Sequence, residues 1–283
     1  MVELPLNKII CGDNVEVMAS FPPESIHAVI TSPPYGDIFA YHGFSFNFPA
    51  VAKQLYRVLH PTGYIAWVVR DEVVDGSITG ETARQILGFL DLGFKIPLTI
   101  IYAKLGAPRV GSLNNYNNEH EYVLVITKDT PFPANRLKDR LNRKGGRPKQ
   151  KTSHRDNKTG FLRHKMGKKT PFMGFRGSVW WYPTGHRLAY ASADTDLMEG
   201  FPAPMHEQLC KDLILSYSHL GDVVLDIFSG SGTTSKMCVL TGRNYIGIEI
   251  SSEFCKLSRK RIHRYQGRKL DEFFPPLFRK LFP

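Results

Sequence analysis

The run Val224-Leu225-Asp226-Ile227-Phe228-Ser229-Gly230-Ser231-Gly232-Thr233-Thr234 decides the fold. An apolar strand ends on an acid, a Gly-x-Gly turn follows, and a helix over residues 231–240 takes over. Glycine lets the backbone turn tightly and lets a ligand come close. Ligands of open α/β sheets sit at the carboxyl ends of the strands. A lone Gly-x-Gly is also a common strand-to-helix turn, so a second feature is needed. It comes from the next strand, Tyr245-Ile246-Gly247-Ile248-Glu249. Its closing acid lies roughly 20 residues beyond the turn, the spacing at which a carboxylate meets the hydroxyls of a ribose. The plain alternative for Glu249 is an exposed acid at a strand end.

Working outward, strands and helices alternate. Lys8-Ile9-Ile10-Cys11 reads as a strand ending at Gly12-Asp13, and residues 14–20 as a helix capped by Asn14. Ala28-Val29-Ile30 is a buried strand that runs into Thr31-Ser32-Pro33-Pro34-Tyr35. Proline has no N–H and restricts its predecessor, so the strand stops there. Residues 48–59 carry Val51, Leu55, Val58 and Leu59 at helical spacing and stop before Pro61 and Gly63. Residues 64–69, 98–102 and 122–126 read as further strands, and 80–92, 207–219 and 253–264 as further helices. The alternation predicts an α/β fold: a mixed, mostly parallel sheet with helices on both faces.

With 42% hydrophobic residues, the 283-residue chain can bury a sizeable core. Its net charge is +11, and the excess is local. From Arg136 to Arg176 there are fifteen Lys or Arg against Asp139 and Asp156, a net of +13, so the rest of the chain sums to −2. This segment, with Gly145-Gly146-Arg147-Pro148 and few aliphatics, reads as an insertion that meets a polyanion. A solvated loop or a membrane-surface patch would have the same composition. Cys11, Cys210, Cys238 and Cys255 form no C-x-x-C pair, which speaks against a zinc site and against a disulfide framework. No metal site is expected. The N-terminus lacks a signal-peptide pattern and no stretch is apolar enough to span a bilayer, so a cytoplasmic protein with no membrane partner is expected.

Taken together, Thr31-to-Tyr35 and Val224-to-Thr234 resemble the motifs of the DNA amino-methyltransferases, which methylate the exocyclic amine of cytosine or adenine with S-adenosylmethionine. The order, catalytic motif first and cofactor loop last, resembles the permuted β class, and the likeness covers residues 8–70 and 178–264. It implies a Rossmann-like class I methyltransferase fold. Residues 1–104 would be the catalytic half, 105–178 a basic target-recognition region, and 179–283 the cofactor half. It implies cofactor contacts from Asp226, Phe228, Gly230, Gly232, Thr233 and Glu249, with Thr233 near the methionine carboxylate. Asp13 would meet the adenine amine, although a helix cap is an equal use for it. Phe201-Pro202-Ala203-Pro204-Met205 is similar to the segment that caps the methionine part, where many relatives have His in place of Phe201.

The amine to be methylated is a poor nucleophile, because its lone pair is delocalised into the ring. Ser32 and the Pro33 carbonyl supply acceptors that hold it, Pro33 and Pro34 stiffen the turn, and Tyr35 offers a ring for stacking. The target base must leave the duplex stack to reach them. Relatives with Ser at the first position are mostly cytosine-amine enzymes, and those with Asp mostly adenine enzymes. The resemblance therefore implies a cytosine-N4 enzyme on double-stranded DNA, beside a cognate restriction endonuclease. The rivals are an adenine-N6 enzyme, an RNA or protein methyltransferase, and a non-catalytic nucleic-acid-binding protein on the same scaffold. Methylation at a ring carbon needs a nucleophilic Cys after Pro, and no Pro-Cys pair occurs. Asp37, Tyr41, His42 and Phe44 could line the base pocket or pack a loop. Asp71 and Glu72 follow a strand and could reach the site. Trp180, Trp181 and Tyr182 read as core and interface packing, with base stacking as the alternative. Glu119, His120 and Glu121 do not make a metal site, since strand neighbours point to opposite faces.

Overall fold

The structure is a computed structural model. It describes residues 3–34, 46–106, 116, 118–147, 152–155, 159–165, 169–183, 194–198, 201 and 204–268. Two compact units divide the chain. The first holds the described residues of Met1–Asn135 and Ser178–Pro275, and the second those of Arg136–Gly177.

In chain order the elements are β1 (Lys8–Cys11), α1 (Asn14–Ala19), β2 (Ile26–Thr31), α2 (Phe48–Val58), β3 (Leu59–Val69), β4 (Val73–Val74), β5 (Ser77–Ile78), α3 (Glu81–Asp91), β6 (Lys95–Leu105) and β7 (His120–Thr127). The second unit contributes β8 (Arg140–Leu141), β9 (Thr152–Arg155), β10 (Leu162–Lys165) and β11 (Met173–Gly174). The first resumes with β12 (Val179–Pro183), α4 (Thr195–Met198), α5 (Glu207–Tyr217), β13 (Val223–Asp226), α6 (Thr233–Thr241), β14 (Asn244–Glu249) and α7 (Ser252–His263).

The first unit is built on an eight-stranded sheet of order β1-β14-β13-β2-β3-β7-β6-β12. Only β7 runs against the others, pairing antiparallel with β3 and β6. This is the mostly parallel sheet the alternation predicts. Its strands alternate faces. One face, with Val29, Ile65, Trp67, Leu124, Leu225 and Ile246, packs with Met18 of α1, Leu55 of α2 and Phe89 of α3 into the main core. The other face meets α5 and α6. The order also shows the permutation: the late strands β13 and β14 lie between β1 and β2. Val224 pairs with Ala28, and Leu225 with Val29.

Two local expectations change. Asp13, not Asn14, caps α1: its Oδ1 accepts from the Val15 and Glu16 N–H groups at 2.8 and 3.0 Å. An acid outside the first turn can reach back to these orphan donors, whereas Asn14 is already helical. Strand β3 begins at Leu59, immediately after α2, rather than beyond Pro61 and Gly63. Ile26 pairs with Leu59 and Ala28 with Tyr64, so residues 60–63 form an irregularity that absorbs Pro61 without breaking the strand.

The basic second unit contains two small antiparallel sheets, β8 with β11 and β9 with β10. Arg176 forms an ion pair with Asp139, and the Arg136 guanidinium lies 3.8 Å from the centroid of the Phe175 ring. Strand β7, which falls within residues 105–178, belongs to the first unit's sheet. No helix among the described residues is long and apolar enough to cross a membrane.

Candidate active site

Because β13 lies beside β2, two motifs 195 residues apart meet at their carboxyl ends. Thr31 Oγ1 donates to Asp226 Oδ1 at 2.6 Å, and both residues are buried. The Phe228 N–H donates to the same oxygen at 3.2 Å. Burial pushes the Asp226 carboxyl up to about 6, against the lowering effect of the Thr31 and Thr234 hydroxyls and the Phe228 N–H.

The turn beyond Asp226 needs its glycines. Gly230 and Gly232 have φ of +48° and +78°. A Cβ on Gly232 would lie 2.8 Å from Ser258 Cβ, so the glycine also lets α7 press against the turn. Strand β14 is laced to it: the Gly230 N–H donates to Glu249 Oε2 at 2.7 Å, and the Ser251 N–H to Glu249 Oε1 at 2.9 Å.

These strand ends open on a cavity of about 560 Å³. Ser32 and Pro34 line it, as do Asp13, Asp226, Phe228 and Glu249; so do Gly230 and Thr233 of the turn. The expected site residues therefore share one space, with two exceptions among those described. Pro33 is buried and Gly232 caps α6, and neither is among the lining residues. Tyr35 lies outside the described residues, as do Asp37, Tyr41, His42 and Phe44. Asp71 and Glu72 do not line the cavity; Asp71 Oδ1 accepts from the Thr82 N–H at 3.1 Å. Trp180 and Tyr182 are buried in β12 and Trp181 is exposed.

Phe228 packs edge-on to Phe46, with ring centroids 5.0 Å apart. Phe201 packs on Phe254 at the same distance, and both line the cavity. His206, also lining it, caps α5: its Nδ1 accepts from the Gln208 N–H at 3.2 Å. Burial pushes this imidazole down to about 4, so it is neutral and its proton is on Nε2.

Arg70, Tyr102, Lys104 and Glu121 are among the lining residues not anticipated in any binding role. Lys104 pairs with Glu121, and burial, aided by Glu121, pushes the Tyr102 hydroxyl well above its usual range. Arg70 Nε is buried without a partner. The readable signal was the i, i+2 spacing of Tyr102 and Lys104 on a strand. Burial pushes the thiols of Cys210 and Cys238 well above the usual range, which keeps both protonated. Among the described residues, no group of three or more His, Cys, Asp or Glu could hold a metal ion.

With this geometry in place, comparison with known proteins gives the family. The N6/N4 methyltransferase family model, described as DNA methylase, matches residues 26–260. The orphan methyltransferase M.BamHII of Bacillus amyloliquefaciens is 39% identical over 242 residues, spanning 85% of this chain and 90% of that protein. The DNA adenine methyltransferase YhdJ of Escherichia coli K12 is 28% identical over 267 residues, 90% of this chain and 82% of the relative. The structure of TTHA0409 from Thermus thermophilus, complexed with S-adenosyl-L-methionine, superposes with a TM-score of 0.61 at 27% identity, over 92% of this chain and 94% of that one. The chain belongs to the N6/N4 family of DNA methylases.

Proposed function

We propose that this protein methylates the N4 amine of cytosine in double-stranded DNA, with S-adenosylmethionine as methyl donor. The observation that carries the reading is the 2.6 Å bond from Thr31 to Asp226, which fastens the Ser32-Pro33-Pro34 turn to the glycine-rich turn in a common cavity.

The cavity residues fit the cofactor. Phe228 and Phe254 are apolar walls. Ser229 Oγ is a buried hydroxyl without a hydrogen-bond partner. A Cβ on Gly230 would come within 3.1 Å of the Phe201 ring and narrow the space. Each Glu249 oxygen accepts one backbone N–H, and a carboxylate oxygen has two lone pairs, so capacity remains for ribose hydroxyls. Asp13 spends Oδ1 on its cap, so an adenine amine would meet Oδ2. Gly230, Ser231 and Thr233 take the methionine end. Bound there, the cofactor supplies an electrophilic methyl group on a sulfonium.

The chain's own residues prepare the amine. Ser32 and the Pro33 carbonyl accept its hydrogens and favour a pyramidal nitrogen whose lone pair can be aimed. Pro33 and Pro34 fix that geometry before the base arrives, which lowers the barrier by on the order of several kcal/mol. Tyr35 stacks on the flipped base. The segment from Arg136 to Arg176, net +13, holds the DNA through its phosphates.

Ser at the first position of the turn favours cytosine. The adenine reading is kept as the second, because YhdJ is an adenine methyltransferase. We place the function on the methyltransferase alone, since M.BamHII is itself named an orphan; a companion endonuclease is the further expectation of a restriction–modification pair. Nucleosides from the genomic DNA of a bacterial host expressing the protein test this. N4-methylcytosine should appear, and be absent with Ser32→Ala. Methyladenine in its place would support the second reading.

A further inference from the structure

Behind the glycine turn lies a charged cluster that the reaction above does not use. Lys236 of α6, Arg261 of α7 and Asp194 are fully buried, and Glu207 of α5 is 2% exposed. Lys236 Nζ donates to Asp194 Oδ2 at 2.7 Å and to Glu207 Oε1 at 2.5 Å. Arg261 Nε donates to Asp194 Oδ2 at 2.7 Å, and its Nη2 to Glu207 Oε1. The Tyr265 hydroxyl donates to Asp194 Oδ1 at 2.8 Å. Two cations and two anions cancel, which is the condition for burying four charges at all. Removing one partner would leave a buried charge uncompensated, which is strongly destabilising.

Arg261 has a further edge, and it points at the turn. Its Nη1 donates to Ser231 O at 3.1 Å, to Ser231 Oγ at 3.0 Å and to Thr233 Oγ1 at 3.0 Å. Ser231 and Thr233 both line the cavity. A guanidinium is a donor only. A hydroxyl oxygen that receives its N–H is therefore engaged as an acceptor, and its own proton must go elsewhere. The two hydroxyl oxygens lie 3.5 Å apart, so a single proton can at most be shared between them. The other is left for a group inside the cavity. A hydroxyl turned donor suits an anionic ligand group.

We propose that Arg261 is a positioning residue for the carboxylate of the cofactor's methionine part: by engaging the oxygens of Ser231 and Thr233, it commits the Thr233 hydroxyl as a donor to that carboxylate, with the Ser231 proton at most shared with Thr233. Lys236, Asp194 and Glu207 fix the plane of the guanidinium and so the direction of that donor. The inference rests on the cofactor reading above and gives one end of that site its polarity.

Two ligands separate this role from plain support of the fold. S-adenosylhomocysteine carries the carboxylate; 5′-methylthioadenosine lacks the whole amino-acid end. Calorimetry on the full chain should show that Arg261→Lys, which keeps the charge and loses the fork, weakens S-adenosylhomocysteine by on the order of tenfold or more. Methylthioadenosine affinity should stay within about twofold. Thr233→Val leaves the four charges in place and should give the same selective loss, so it decides the matter if the arginine variant does not fold. An equal loss for both ligands, or no loss for either, would overturn the role assigned to Arg261. If wild-type protein binds neither ligand, the cofactor reading itself falls, and this inference with it.

Discussion

Asp226→Asn should make the protein more stable and worse at its task. The carboxyl is buried and its pKa stands at about 6 against an ordinary 3.8. Two pH units correspond to roughly 3 kcal/mol, at about 1.36 kcal/mol per unit. The sign follows from which state holds the proton. Below pH 3.8 both the folded and the unfolded chain hold it. Between 3.8 and about 6 the folded chain holds it and the unfolded chain has lost it, so this group's contribution to stability falls as pH rises through that window. Above it the folded chain carries the full penalty of a buried charge. Asparagine keeps the shape and an acceptor for the Thr31 hydroxyl, and has no charge to bury. At pH 7.5 the variant should gain up to about 3 kcal/mol, which for a chain of this size raises Tm by roughly 2–4 °C per kcal/mol. Near pH 4 the two proteins should melt alike. The penalty makes sense if a cation relieves it, and the cofactor carries both a sulfonium and an ammonium. Losing a charge-assisted bond of about 1.5–3 kcal/mol should weaken cofactor binding by roughly 10- to 150-fold. Wild-type affinity should itself fall as pH drops below 6. Scanning calorimetry across pH 4–8 and titration calorimetry with S-adenosylmethionine measure both effects. An Asp226→Asn protein that melts lower at pH 7.5 and binds cofactor as well as the parent would refute the reasoning.

Other outcomes follow from the same geometry. Ser32→Ala should lower the single-turnover methyl-transfer rate by about 10²-fold or more, the scale of losing one preorganised partner of the reacting group, with cofactor Kd unchanged. DNA affinity, measured by fluorescence anisotropy, should fall steeply with salt, with a log–log slope of roughly −0.9 per phosphate contact. Deleting residues 140–170 should flatten that slope and leave cofactor binding near wild type. Gly232→Ala must place a Cβ 2.8 Å from Ser258 at a φ of +78°, so its denaturation midpoint should drop by the equivalent of at least about 1–2 kcal/mol.

The two motifs were legible because each ends a strand by chemistry the sequence displays. Prolines stop β2 at Ser32, and glycines turn the chain after Asp226. Helix α2 was equally plain, with Val51, Leu55 and Val58 on one face. The contact between the motifs was not legible, because the neighbourhood of β13 and β2 is a matter of strand order across a permuted chain. Glu121 escaped for a related reason. Its place on the cavity depends on pairing Tyr102 of β6 with Glu121 of β7, a register no local pattern fixes. The cluster behind the turn left one trace, a lysine in the otherwise uncharged helix Thr233–Thr241. That Lys236 is buried follows only from α6 being covered by both α5 and α7.

The central claim is transfer of a methyl group to the exocyclic amine of cytosine by the Ser32 turn. Purified protein, a mixed-sequence DNA duplex and S-adenosylmethionine carrying a deuterated methyl test it, with the DNA then hydrolysed to nucleosides and weighed by mass spectrometry. The account predicts label in N4-methylcytosine and its loss with Ser32→Ala. Label in N6-methyladenine or 5-methylcytosine, or label in N4-methylcytosine that survives Ser32→Ala undiminished, would contradict it.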